Sequence, residues 1–158
     1  MVTKERILVI TWPELGISVE CKPLSHNREI YDWYLDHCPI RGVQSHGVCS
    51  GPVAYVHNFI LPERRPPAQS AKNLKPELLT EAPIGRVKLT PAGAKVHSAG
   101  LVGGFSVKYG ELTEDMSVFY CAQVVEEDID KLKKAGAAIW NAIYKTKEII
   151  TVELSEKK

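Results

Sequence analysis

Apolar and polar residues alternate along most of this chain, and in two places the period lengthens to that of a helix. Residues 5–11 carry Ile7, Leu8, Val9 and Ile10 as a continuous apolar run. After the turn chemistry of Pro13-Glu14-Leu15-Gly16, the segment Ile17-Ser18-Val19-Glu20-Cys21 alternates apolar with polar. Successive strand side chains point to opposite faces, so this opening reads as a two-stranded hairpin. A short strand and a tight loop are predicted over residues 42–51. Further strands are predicted over residues 53–59, 86–90, 105–109, 117–125 and 148–154, where valine, tyrosine and phenylalanine suit a half-buried pleated surface.

Two segments depart from this period. Ile30, Trp33, Tyr34 and His37 recur at helical spacing behind two candidate caps, Ser25 and Asn27. That helix is predicted to stop before Pro39, because proline disfavours an α conformation in the residue preceding it. Glu126-Glu127-Asp128 opens a second helix with acidic residues at the positive end of its dipole. Its apolar face comprises Ile129, Leu132, Ala135, Ile139, Trp140 and Ile143, all expected in the core, while Lys131, Lys133 and Lys134 face away. Residues 62–83 differ in kind: they hold five prolines, and only residues 76–79 suggest helix. So long a connection reads as a surface excursion, a lid or a subunit arm.

Helices and strands do not alternate regularly, which argues against a parallel doubly wound sheet. Many short strands with two helices predict a mainly β fold: a closed antiparallel barrel of about eight strands, capped by the helices, in a single domain spanning 1–158. Closure also removes the exposed edges that invite aggregation.

Composition narrows the function classes. A chain of 158 residues suits one sizeable core, and its 44% hydrophobic and 25% charged content argues against disorder. Lysine and arginine number 20 against 19 acidic residues, a net charge of +1, so no nucleic-acid partner is expected. The longest apolar runs fall far short of a membrane span, and the N-terminal residues carry no secretory pattern. Four widely spaced cysteines, with no C-x-x-C pair, then fit reduced thiols and a cytoplasmic protein.

The most informative segment is His46-Gly47-Val48-Cys49-Ser50-Gly51, which offers a base, a thiol, a hydroxyl and permissive glycine backbone. A nucleophilic mechanism needs a thiolate or activated hydroxyl beside a base, with backbone N–H groups facing the developing oxyanion. His46 and Cys49 are the catalytic candidates on that ground, with Gly47 and Gly51 supplying the amides. The loop contains no acid to orient the imidazole, so Asp32 and Asp36 on the preceding helix are the candidate partners. His46 is expected to line a polar pocket, Cys49 competes as a small packing residue, and Ser50 reads as a turn residue beside the ligand. His37, Cys38, His46, Cys49 and His57 are zinc-ligand types, but only His46 and Cys49 are spaced as a pair, so no metal and no cofactor are expected. His57 shares a strand face with Tyr55 and Phe59; if that face is interior, His57 lines the barrel mouth. Arg64 and Arg65 read as exposed loop.

These residues also carry a resemblance. A helix ending in an apolar-Pro step, from Ile30 to Pro39, followed by His-x-x-x-Ser-Gly at His46 to Gly51, is similar to a prokaryotic family of unknown function with a cyclophilin-like fold. That family usually has an aromatic residue where this chain has Cys49, which favours a packing role for Cys49. Its Gly-Asp, Pro-Gly-Gly and Tyr-Gly steps become Gly85-Arg86, Pro91-Ala92-Gly93 and Tyr109-Gly110. Its Leu-x-x-x-Gly helix fits Leu132 and Gly136. The resemblance implies an eight-stranded cyclophilin-like barrel with two capping helices. It also implies, by analogy with related domains in ring-opening and urea-amide hydrolases, a small amide, ureide or acid as ligand.

The expected ligand-contacting residues are therefore His46, Ser50, Gly51, His57, Tyr109 and Tyr120. The residues do not choose between catalysis and binding. One reading is a small-molecule site at the barrel mouth, with His46 as acid, base or orienting donor. A second is a non-catalytic module that assembles with itself, as a homo-oligomer, or with an enzyme subunit. The third, a peptide-binding domain or prolyl isomerase, is opposed by the absence of the Phe-His-Arg and Gln-Met-Ala motifs of true cyclophilins.

Overall fold

The first strand, β1 (Leu8–Trp12), turns Leu8, Ile10 and Trp12 fully inward and leaves Val9 and Thr11 partly exposed. The apolar run that opens the chain thus becomes a period-two strand whose inner face ends on a tryptophan. The computed structural model describes residues 5–56, 74–90 and 104–158. His57, Arg64, Arg65, residues 62–73 of the proline-rich excursion and Pro91-Ala92-Gly93 lie outside them.

β1 is followed by β2 (Ile17–Pro23), α1 (Arg28–Asp36), β3 (Ile40–Val43), β4 (Ser45–His46) and β5 (Val53–Val56). After the excursion come β6 (Glu77–Leu78), β7 (Arg86–Thr90), β8 (Gly104–Lys108), β9 (Ser117–Val118) and β10 (Tyr120–Val124). Helix α2 (Ile129–Asn141) continues as a π-helical turn over Ala142–Thr146 and leads to β11 (Thr151–Glu156). Nine strands pair antiparallel in the order β3-β11-β1-β2-β10-β7-β8-β5-β4, and β6 pairs separately with β9. The fold is mainly β, with the described residues forming a nearly closed antiparallel barrel and two α-helices.

Gln44 brings the sheet back on itself. The two edge strands, β3 and β4, are consecutive in the chain, with Gln44 alone between them. Its backbone N–H donates to the Ile150 carbonyl at 2.8 Å, continuing the β3–β11 side. Its side-chain amide donates to the Tyr55 carbonyl on β5 at 2.8 Å and to the Ser45 carbonyl at 2.9 Å. Its Oε1 accepts the Trp12 indole N–H at 2.7 Å. One buried polar residue therefore links both edges and satisfies the tryptophan beneath them.

The interior is filled from β1, β2, β11, β7 and β8 by Ile10, Val19, Leu154, Val87, Leu89 and Val107, among others. Each fully buried aliphatic side chain contributes about 1.5–3 kcal/mol relative to exposure. Helix α1 adds Ile30, Tyr31, Tyr34 and Leu35, and both of its buried tyrosines find polar partners. The Tyr31 hydroxyl accepts the Leu8 N–H and lies within 2.9 Å of the Arg6 and Cys21 carbonyls. The Tyr34 hydroxyl accepts the Gly104 N–H at 3.1 Å and donates to the Gly104 carbonyl at 2.9 Å. The helix is thus joined to β1, β2 and β8.

Several local expectations are corrected. Asn27 precedes α1 but makes no side-chain cap: it sits at φ 55°, and its amide binds Lys75 and the Tyr120 carbonyl. Residues 76–79 are not helical. A four-residue helix cannot offset its nucleation cost, whereas β6 gains a partner in β9. The strand expected over 117–125 breaks at exposed Phe119, and its register against β7 shifts between Tyr120 and Ala122. Ala54 is fully buried and Tyr55 only partly so, so Ala54 and not Tyr55 marks the inner face of β5. Lys108 breaks the alternation of β8: it is 1% exposed, and its Nζ donates to the Leu79 and Ala82 carbonyls at 2.8 and 2.6 Å.

Candidate functional site

His46 ends β4 where the chain turns out of the sheet, and is 5% exposed. The turn is tied by the Gly47 N–H, which donates to the Val53 carbonyl, and by the Val53 N–H, which donates to the Gly51 carbonyl. Gly51 at φ 98° takes a left-handed conformation that other residues rarely adopt. A Cβ on Gly47 would come within 2.6 Å of Val53 Cγ1, so the glycine lets the loop close over β5.

The imidazole is held at both nitrogens. Nδ1 lies 2.7 Å from the Gly47 carbonyl oxygen, and Nε2 lies 2.5 Å from the Tyr109 hydroxyl. Tyr109 follows β8, and its ring rests directly on α2: a Cβ on Gly136 would lie 2.5 Å from ring atoms Cγ and Cδ1. Tyr109 and Gly136, which both enter the family resemblance, are thus in contact. Tyr144 closes the other side of the imidazole, its ring 6.0 Å away and edge-on, with its hydroxyl 3.3 Å from the His46 carbonyl.

Beside this pair opens a cleft of about 410 Å³ lined by His46, Gly47, Val48, Gly51, Pro52, Tyr109, Ala137 and Trp140. Trp140 was expected in the core with the rest of the α2 face. It is instead 41% exposed, because it lies at the margin of that face and the barrel ends beneath it. Val48 is 78% exposed across the same cleft. The indole ring therefore presents apolar surface beside a polar pair of which His46 is buried and Tyr109 half-buried. Lys145 Nζ lies 5.1 Å from the Trp140 ring centroid, within cation–π range.

The other expected site residues are distributed differently. Cys49 is exposed and lies outside the cleft lining, so a Cys49–His46 nucleophile pair is not assembled. The Ser50 hydroxyl donates to the Glu114 carboxylate rather than facing the cleft. Gly51 lines it. The Gly47 amide, proposed for an oxyanion, is spent on Val53. Tyr120 sits in a separate buried cluster with Leu79, Ala82, Leu112 and Val118, away from His46. Asp32 pairs with Arg28 and Asp36 with Arg6, so neither orients the imidazole; the Gly47 carbonyl does. His37 Nδ1 lies 2.6 Å from the Trp33 carbonyl, and among the described residues no three His, Cys, Asp or Glu side chains are grouped as metal ligands. Sequence reasoning missed Trp140, Pro52 and Ala137 as cleft residues. The signal available was Trp140 standing next to Ile139 at the edge of an otherwise aliphatic stripe.

Burial holds His46 below its ordinary value of 6.5, with the Gly47 carbonyl hydrogen bond opposing, and burial raises the Tyr109 hydroxyl, with Tyr144 adding to that rise. At neutral pH the pair is thus a neutral imidazole and a protonated phenol. The unfolded chain takes up a proton on His46 near 6.5 and the folded chain only at lower pH. The unfolded state therefore binds more protons below about 6.5, and stability is full above that pH and lost as pH falls toward the folded-state value. Urea midpoints between pH 7.5 and 5 should fall for the wild type and fall less for His46→Gln; equal slopes would show that His46 does not carry this dependence. The depressed carboxylates Glu14, Asp128 and Glu156 act in the lower, carboxylate range and do not mask it.

The fold and site together define a nearly closed antiparallel barrel with an open apolar cleft between one barrel margin and α2. No helix among the described residues is long and apolar enough to cross a membrane. No family model matches the chain, and no curated protein matches it. Among solved structures it is similar to that of McbB in complex with tryptophan, with a TM-score of 0.74 and 29% sequence identity over 94% of this chain. The chain spans 44% of the length of that McbB chain.

Proposed function

We propose that this protein binds a small, planar aromatic molecule of the size of an indole amino acid in the cleft between Trp140 and the 46–52 turn. The observation that carries this reading is a half-exposed tryptophan set beside a part-buried, hydrogen-bonded His46–Tyr109 pair in one cleft. Apolar walls with a few placed polar groups are the usual form of a ligand site. A cleft of about 410 Å³ has room for such a ligand. The similarity to McbB, whose structure holds tryptophan, supports the same ligand class. If the protein is an enzyme, His46 with Tyr109 is its acid–base pair, and a small amide, ureide or acid is the substrate class that the cyclophilin-like resemblance adds. Placement in that family, and in the cytoplasm, belongs to the same proposal.

Thermal shift and calorimetry with aromatic amino acids, aromatic amines, cyclic amides and ureides test it. L-Tryptophan or a related aromatic ligand should raise the melting temperature, and Trp140→Ala should weaken that binding about tenfold through loss of stacking. No response to any aromatic compound would overturn the reading, while turnover of amides alone would favour hydrolysis. A homo-oligomeric assembly is the second reading, favoured by exposed Val43 and Ile149 near the β3–β11 edge. A mass independent of concentration and equal to one chain in light scattering would exclude it.

A further inference from the structure

The hydrogen-bond direction of the His46–Tyr109 pair is set from behind the cleft. The Gly47 carbonyl oxygen beside Nδ1 can only accept, so a neutral imidazole carries its proton on Nδ1 and offers Nε2 as acceptor. The Tyr109 hydroxyl therefore donates to Nε2. A tyrosine has one hydroxyl proton, and once it is committed the oxygen has only lone pairs to offer the cleft. Three neighbouring donors are also engaged. The Gly47 N–H donates to Val53, the Tyr144 hydroxyl lies 3.3 and 3.4 Å from the His46 and Gly47 carbonyls, and the Ser50 hydroxyl donates to Glu114.

Resting on the reading of the cleft as an aromatic-ligand site, we infer that Tyr109 is its specificity-determining residue and selects aromatic primary amines over aromatic carboxylates. A ligand amine donates to the Tyr109 oxygen. A carboxylate there meets a lone pair and leaves both groups without a proton to share, which is how a polar site rejects the wrong functional group. The selection is made by hydrogen-bond direction at the Tyr109 oxygen and not by net charge: Lys145 stands over Trp140, and Glu114 is engaged by Ser50 outside the cleft lining. Burial keeps the imidazole neutral and the phenol protonated near pH 7, which preserves the direction.

Calorimetry at pH 7.5 with tryptamine, 3-ethylindole and indole-3-acetate tests the inference. Tryptamine should bind about tenfold tighter than either of the others, the worth of one hydrogen bond to a charged donor. Tyr109→Phe keeps the ring over Gly136 and should reduce tryptamine to the affinity of 3-ethylindole, leaving 3-ethylindole unchanged. His46→Ala frees the Tyr109 hydroxyl to donate, and should raise indole-3-acetate while lowering tryptamine; a merely structural role would weaken all three alike. Indole-3-acetate binding as tightly as tryptamine, or tryptamine no tighter than 3-ethylindole, would overturn the inference and leave the aromatic site standing. Failure of all three to bind would overturn both.

Discussion

Gln44→Ala should destabilise the protein by about 3 kcal/mol, with a fall in melting temperature of roughly 6–12 °C for a chain of this size. The substitution keeps the backbone N–H bond to Ile150 but removes three side-chain bonds, to Trp12, Ser45 and Tyr55. Trp12 is fully buried, so its indole N–H is left without a partner, a cost of about 1–3 kcal/mol by itself. The rest comes from the Tyr55 and Ser45 carbonyls and from the volume vacated by the side chain. The asymmetry of hydrogen-bond loss supplies a control. Replacing both partners by apolar groups, as in Gln44→Leu with Trp12→Phe, should recover a large part of the loss, because no buried donor is then orphaned. Urea denaturation of the two single variants and the double variant measures this as a cycle. A Gln44→Ala cost below about 1 kcal/mol, or a double variant whose cost is the sum of the singles, would show that Gln44 does not close the barrel in the way described.

The same residue shows where the sequence was legible and where it was not. Apolar runs revealed β1 and β10 and with them the mainly β class, and alternation revealed β2 and β7, which have one face in the core and one toward water. Helix α2 was visible for the same reason, at the longer period. The closed antiparallel barrel was legible as a class, but the residue that joins its two edges was not, since Gln44 falls within the segment that reads only as a short strand and a tight loop. Lys108 was hidden for a related cause: charge suggests solvent, and only the fold brings two carbonyls from residues 79 and 82 to its ammonium group. Residues 76–79 carry a local helical pattern, and the strand partner that overrides it, Ser117 and Val118, is distant in sequence.

The site was half legible. His46 stood out as a titratable residue amid glycines, and the Tyr109-Gly110 step was noted, but nothing in their separation of 63 positions shows that they share a hydrogen bond. Cys49 drew attention by its chemistry alone. Its exposure outside the cleft lining removes the arrangement that made it a nucleophile candidate. Trp140 keeps the helical spacing of the apolar stripe, and large aromatics at that spacing are usually core. The position of a residue at the edge of its stripe, where the barrel beneath it ends, is a property of tertiary packing.

Gly136→Ala should distinguish packing at the site from helix propensity, because the two effects have opposite signs there. In an exposed helix interior, glycine to alanine gains about 1 kcal/mol. At Gly136 the new methyl group would meet the Tyr109 ring at 2.5–2.6 Å, closer than real contacts allow, so the ring must move away from α2. Overpacking of this kind costs about 1–3 kcal/mol. The ring carries the hydroxyl bonded to His46, and its shift lengthens a bond that now spans 2.5 Å. The expected result is a net loss of about 1–2 kcal/mol in urea denaturation, together with weakened ligand binding in the cleft. Gly136→Val should do more, adding β-branched bulk against the same ring. Relief of the clash provides the decisive arm. Tyr109→Ala removes the ring, so in that background Gly136→Ala should become stabilising by about 1 kcal/mol, the propensity gain alone. If Gly136→Ala stabilises the wild type, or if its effect is the same with and without the Tyr109 ring, the glycine is not what seats Tyr109 beside His46.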